Sequence, residues 1–310
     1  MAQTEGCHRA RGKKLMQDTF STYHPLINFA FFVAVIVFGM FFVHPLFLGI
    51  GLFSAICYSA VIKGRKALKF ALKMIPLFLL VTLVNPLFNS LGETVLFTLP
   101  WGRPYTFEAM LYGMATGAML LTVMIWFSCY HVVMTSDKFI YLFGRIIPSI
   151  SLVFSMVLRF VPIFKMEIKT LSNAQKCVGR DISNGTKKEK LAHGATILSM
   201  LMSWALENAV CTADSMKSRG YGLAGRTSFS IYRFDLRDGV AAISLLLLTL
   251  GVAAGALLGR AWAVFVPRLI LPPLDGWGAV CAACYGLLCL FPSLISVLED
   301  IKWRALKSRI

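Results

Sequence analysis

The chain has 310 residues, 57% hydrophobic and only 15% charged, with a mean hydropathy of +0.70. Average soluble domains carry about 25% charge, so an ordinary soluble fold is excluded. The net charge of +16 would suggest nucleic acid in a soluble protein. Here the apolar residues come in blocks, and the rule that cytoplasmic loops of membrane proteins are basic accounts for it without a nucleic-acid partner.

In chain order, residues 1–20 are polar and basic, with no short apolar region followed by a small-residue cleavage site. The first apolar run therefore reads as a permanent span. A span needs roughly 20 mostly apolar residues. Six stretches meet this: Leu26–Val43, Pro45–Ile62, Met74–Phe88, Ala109–Met134, Gly239–Leu258 and Trp277–Leu298. His44-Pro45 makes a tight hairpin of the first two. Asn85-Pro86 is expected to stop or kink the third.

The charges orient this layout. With the N-terminus inside, segments 1–25, 63–73, 135–238 and 299–310 hold 28 Lys and Arg, and the outer loops hold only Arg103, Arg260 and Arg268. The expected divisions are a basic cytoplasmic N-terminus (1–25), four spans (26–134), a cytoplasmic segment (135–238), two spans (239–298) and a basic cytoplasmic C-terminus (299–310). The fold class is all-α: a polytopic membrane helix bundle with long amphipathic cytoplasmic helices.

Segment 135–238 carries the functional signal. Ile146–Phe164 is apolar enough to pass for a span, but Pro148 and Pro162 interrupt it and Arg159 lies within it. A span there would put the basic stretch 165–190 outside. It reads instead as a helix lying along or dipping into the membrane interface, continuing through Gln175 and ending near Gly179-Arg180-Asp181. A second helix starts about Thr186, where Glu189 suggests a capping box. It runs to Met216, and Gly220 and Gly222 end it. Each helix thus closes on a glycine-flanked Arg. A guanidinium forks onto carboxylates, and small neighbours let a partner's backbone approach. The plain alternative is that each Arg only answers the helix dipole.

Chemistry-bearing motifs are missing. There is no G-x-x-x-x-G-K-[ST] phosphate loop, H-E-x-x-H or G-x-S-x-G. His24, His44, His131 and His193 are scattered. Cys281-Ala-Ala-Cys284 has redox spacing but lies in an apolar segment without a second pair. Neither enzymatic activity nor a cofactor or metal is expected.

Trp204-Ala-Leu-Glu207-Asn208-Ala209 and Thr212-Ala213-Asp214-Ser215-Met216-Lys217-Ser218-Arg219-Gly220-Tyr221-Gly222 closely resemble the transmembrane T component of energy-coupling factor (ECF) vitamin and metal transporters. So do Leu158-Arg159-Phe160-Val161-Pro162, Ala174-Gln175, Tyr23-His24-Pro25 and Asn85-Pro86-Leu87-Phe88. The resemblance covers nearly the whole chain. It implies a bacterial cytoplasmic-membrane protein with both termini cytoplasmic and a coupling domain at 135–238. The implied partners are two ABC-type ATPase subunits, which bind the ATP, a small membrane S component that binds the substrate, and the lipid bilayer. The family's Ala-Arg-Gly docking motifs map onto Ser218, Arg219 and Gly220, and onto Gly179, Arg180 and Asp181. In the first, Cys177-Val178-Gly179 stands where Ala-Arg-Gly is usual, and Arg180 would act from a shifted position. Met156, Phe160, Met166, Met200 and Met202 are candidates for the S-component contact, or else pack the two helices together. The competing reading is the permease subunit of an ordinary ABC transporter with its own substrate path.

Overall fold

A computed structural model describes residues 19–89, 92–98, 104–144, 148–180, 186–223, 232, 234–258 and 276–307. A short 3-10 turn, Thr19–Thr22, is followed by α1 (Pro25–Phe41), α2 (Pro45–Lys63) and α3 (Arg65–Phe88). Strands β1 (Val95–Thr98) and β2 (Pro104–Thr106) form a small antiparallel hairpin. Then come α4 (Phe107–Val133), α5 (Ser136–Gly144), α6 (Pro148–Cys177), α7 (Lys187–Ser218), α8 (Leu236–Leu257) and α9 (Gly276–Lys307). Among the described residues, α2, α3, α4, α8 and α9 are long and apolar enough to cross a membrane. Helix α1 is apolar but has 17 residues, the short end of the spanning range. Helix α6 does not qualify as a span.

The chain divides into two compact units, one of Met1–Lys138 with Tyr232–Ile310 and one of Phe139–Ile231. The first is built on aromatic side chains. Phe20, Phe31, Phe32, Tyr58, Trp126 and Tyr285 are all essentially inaccessible. Phe31 meets the Trp126 ring edge-on at 5.7 Å, and Tyr58 lies tilted 5.8 Å from it. Helices α1 and α2 begin with the same device. Proline occupies the first turn, where its missing N–H costs nothing. The preceding histidine, His24 or His44, accepts the Leu26 or Leu46 N–H through Nδ1 at 3.3 Å.

Pro86 and Pro162 lie inside helices. Helix α3 runs past Pro86 to Phe88, and α6 runs unbroken through Pro162 after starting at Pro148. An internal proline removes one hydrogen bond to the carbonyl four residues back without necessarily ending the helix. In α3 that carbonyl belongs to Thr82. Gly113 of α4 lies so close that a methyl there would sit 2.9 Å from the Thr82 oxygen. One turn on, a methyl at Gly117 would sit 3.0 Å from the Phe78 ring. Two glycines four apart let α3 and α4 pack at close range, as small residues do in membrane helices. Helix α3 also starts earlier than Met74, because Arg65 to Lys73 form a charged first two turns that hydropathy alone does not register.

At the end of the bundle where α1 and α8 begin, two charged side chains, Lys138 and Asp238, are buried against backbone groups. Lys138, 7% exposed, donates to the Ser21 and Val133 carbonyls. Asp238, equally buried, accepts the His24 N–H at 3.2 Å and the Asp235 N–H at 3.3 Å. Arg237 pairs with Glu299, donates to the Tyr23 hydroxyl and stacks over its ring.

Candidate functional site

The second unit is dominated by α6 and α7, 30 and 32 residues long. Helix α7 starts on a reciprocal cap. Thr186 accepts from the backbone of Glu189, whose carboxylate accepts the Thr186 N–H at 2.8 Å. These bonds hold the Glu189 carboxyl below its usual pKa. Phe164 of α6 meets Trp204 of α7 edge-on at 5.8 Å, and Gln175 donates to the Met200 sulfur at 3.6 Å. Those contacts are eleven positions apart along α6 and four along α7, roughly 16 Å against 6 Å of helix. The later α6 residue meets the earlier α7 residue, so the two helices run antiparallel where they touch.

Both helices end in the same backbone turn. In α6, Gly179 has φ +81, its N–H bonds the Lys176 carbonyl at 3.0 Å, and the Arg180 N–H bonds the Gln175 carbonyl at 2.9 Å. In α7, Gly220 has φ +78, its N–H bonds the Lys217 carbonyl at 3.0 Å, and the Tyr221 N–H bonds the Met216 carbonyl at 3.0 Å. This is the paired 6→1 and 5→2 bonding of the Schellman motif, which needs a left-handed residue and so favours glycine. The turns match position by position. Cys177 corresponds to Ser218, Val178 to Arg219, Gly179 to Gly220, and Arg180 to Tyr221. Arg180 and Arg219 are both exposed, and among the described residues neither guanidinium has a hydrogen-bond or ion-pair partner. Ser218 is exposed and Gly220 half-buried; Asp181 lies outside the described residues. Each tip can thus offer an unpaired guanidinium to a carboxylate, but on opposite sides of its glycine.

The methionine and phenylalanine candidates separate. Phe160 stacks on Phe164, which meets Trp204, and Met200 takes the Gln175 hydrogen bond, so these side chains join the contact between α6 and α7. Met156 is half-buried. Met166 and Met202 are 72% and 59% exposed. Val153, Phe154, Val157, Leu158 and Val161 extend an exposed apolar surface along α6. Sequence reasoning passed over the buried charges at Lys138 and Asp238. The available signal was Asp235-x-x-Asp238, a capping pattern that the structure forms. Among the described residues no cluster of His, Cys, Asp and Glu could hold a metal ion.

The profile of the CbiQ family, described as cobalt transport protein, matches residues 19–229, from the first described turn through both helix tips. The chain belongs to the CbiQ family. Two relatives are energy-coupling factor transporter transmembrane proteins EcfT. That of Lactobacillus helveticus is 35% identical over 103 residues, 33% of this chain and 37% of the relative. That of Bacillus selenitireducens is 26% identical over 216 residues, 65% of this chain and 80% of the relative. EcfT 1 of Listeria monocytogenes is 28% identical over 206 residues, 62% of this chain and 75% of the relative. This CbiQ-family chain is a multi-pass membrane protein of a transporter family that is not enzymatic in itself.

Proposed function

We infer that this chain is the transmembrane coupling subunit of an ECF-type importer, passing the motion of two ABC-type ATPases to a substrate-binding S component for vitamin or metal uptake. The family match and the relatives' names support it. The observation that carries it is the pair of helix tips, built on one backbone turn and each presenting an exposed Arg. ATP binds to the partner subunits. All segments rich in Lys and Arg join the bundle at one end, which supports a cytoplasmic position for that end and for both termini. When the ATPases close and part, each tip follows its groove, and the two helices convert that movement into a tilt of whatever rests on their exposed apolar surface. Met166 and Met202 are placed to take part in that contact.

The test is purification of the tagged chain from its native membrane in mild detergent, beside Arg219→Ala. Losing one partner of an interfacial charge pair typically costs about 2–5 kcal/mol. The variant should therefore lose ATPase subunits and uptake while its thermal stability holds. Uptake by Arg219→Ala at the wild-type rate would sink the docking role of this tip.

A further inference from the structure

We propose that the β1–β2 hairpin is a lipid-binding element, with β1 lying at the boundary of the bilayer and its apolar side chains turned into it. The hairpin joins α3 to α4, two helices long and apolar enough to cross a membrane, at the far end of α3 from its basic first turns. Its two strands differ. In β2, Tyr105 and Thr106 are buried, and the strand packs on α3 and α4. In β1 every residue is exposed, and Val95, Leu96 and Phe97 each show just over half of their surface. Val95-Leu96-Phe97-Thr98 carries no charge, whereas a strand edge that faces water is normally blunted with charge or proline. A two-stranded hairpin with a bare apolar strand is marginal at best in water.

Lipid fits this surface better than a partner strand does. Strand addition needs a regular row of backbone groups. In β1 that row is broken: Val95 faces Thr106 and Phe97 faces Tyr105, so Leu96 is the extra residue of a bulge. A lipid surface needs no such register. The depth is also set. Thr94 donates its hydroxyl to Glu108 at 2.7 Å and its N–H to the same carboxylate at 3.3 Å, and the Phe107 N–H bonds the Thr94 carbonyl at 3.0 Å. These bonds tie the base of the hairpin to the first turn of α4, where the span begins. The uncharged stretch Met74–Phe88 of α3 covers about 22 Å of helix, against a hydrocarbon core of about 30 Å. Apolar side chains just beyond Phe88 offset part of that shortfall. The backbone sets the opposite limit, because an open strand edge is not stable in hydrocarbon and stays where water still reaches it. Phe97, stacked on Tyr105 at 4.6 Å, then lies at the level that aromatic side chains favour. Between Phe88 and Phe107 the charges are Glu93 and Arg103, which cancel. The attraction is therefore apolar and not aimed at anionic headgroups.

The test places trifluoromethyl-phenylalanine at Leu96 or Phe97 of the full chain in phosphatidylcholine nanodiscs. Fluorine relaxation is read with dissolved oxygen, which concentrates in the bilayer, and with a water-soluble gadolinium chelate, which stays outside it. The same label at Leu83, an exposed residue in the apolar stretch of α3, gives the bilayer value and shows that the chain is inserted. The free amino acid in buffer gives the water value. The oxygen-to-chelate ratio at 96 and 97 is expected between the two references and nearer to that of Leu83. A ratio near that of the free amino acid puts the hairpin in water and overturns the proposal. Weak relaxation by both agents means that protein covers the strand, and overturns it too. Phosphatidylglycerol discs should give the same ratio; lipid contact seen only in those discs would refute the apolar origin. Leu96→Glu, with the label at Phe97, should shift the ratio toward the water value, and no shift would refute the role of Leu96.

Discussion

At the scale of single residues, the helix tips depend on two glycines that no other residue replaces cheaply. Gly179 and Gly220 both lie in the left-handed region, where a Cβ costs roughly 1–2 kcal/mol. A methyl at Gly179 would meet nothing within 4 Å, and one at Gly220 would meet only the mobile end of Leu223 at 3.0 Å. The penalty is therefore conformational at both sites. Gly179→Ala and Gly220→Ala should loosen the turns without disturbing α6 or α7. The amides of Arg180 and Tyr221, bonded back to Gln175 and Met216, report it directly. Their hydrogen exchange is expected to speed up about 5–30-fold, the equivalent of that penalty. Unchanged exchange at both amides would mean that the turns are held by something other than glycine. The tips were legible in the sequence as far as their residue types, because glycine after a helical run signals a stop. The placement of each Arg on its own side of the glycine became clear only with the hydrogen-bond register.

Between elements, the sequence placed the apolar helices within a few residues, except at the charged start of α3 and the charged end of α9, because hydrophobic runs of spanning length leave little alternative. Pro86 and Pro162 sit inside helices, since the lost bond is tolerable when neighbouring helices supply the packing. The β1–β2 hairpin and α5 went unread, being short and framed by no strong periodicity. Helix pairing was equally hidden. Gly113 and Gly117 mark a close-approach face of α4, but nothing in their spacing says that the partner is α3. Gly113→Ala tests the pairing. The added methyl would lie 2.9 Å from the Asn85 Cβ and from the Thr82 backbone oxygen, so helix backbones rather than a side-chain end must move. Overpacking of this kind costs about 1–3 kcal/mol, so the melting temperature in detergent should fall by several degrees. Gly49→Ala serves as the control, since its methyl would enter open space. Equal melting temperatures for the two variants would refute the close α3–α4 contact.

Across the whole molecule, the chain passes from the membrane bundle into the second unit after Lys138 and returns at Tyr232. Both roots are fastened to the short segment Thr19–His24. Lys138 holds the Ser21 carbonyl, Asp238 holds the His24 N–H, and Phe234 packs its ring on His24 at 5.4 Å. Under the coupling function proposed above, force delivered to the helix tips would tilt a partner only if these roots stay fixed. Lys138→Met keeps the apolar stem buried and removes the charged end with its two carbonyl bonds. Hydrogen bonds to charged groups are worth about 1.5–3 kcal/mol each, enough to free the root without unfolding a bundle held by its aromatic core. In proteoliposomes carrying the full transporter, this variant should keep its ATPase subunits and hydrolyse ATP at near the wild-type rate. Substrate accumulated per ATP should fall about tenfold, a change equivalent to 1.4 kcal/mol. Lys302→Met, an exposed lysine on α9, should leave that ratio unchanged. A normal ratio in Lys138→Met would show that the root carries no mechanical load. Loss of ATPase subunits from that variant would instead show that Lys138 supports docking.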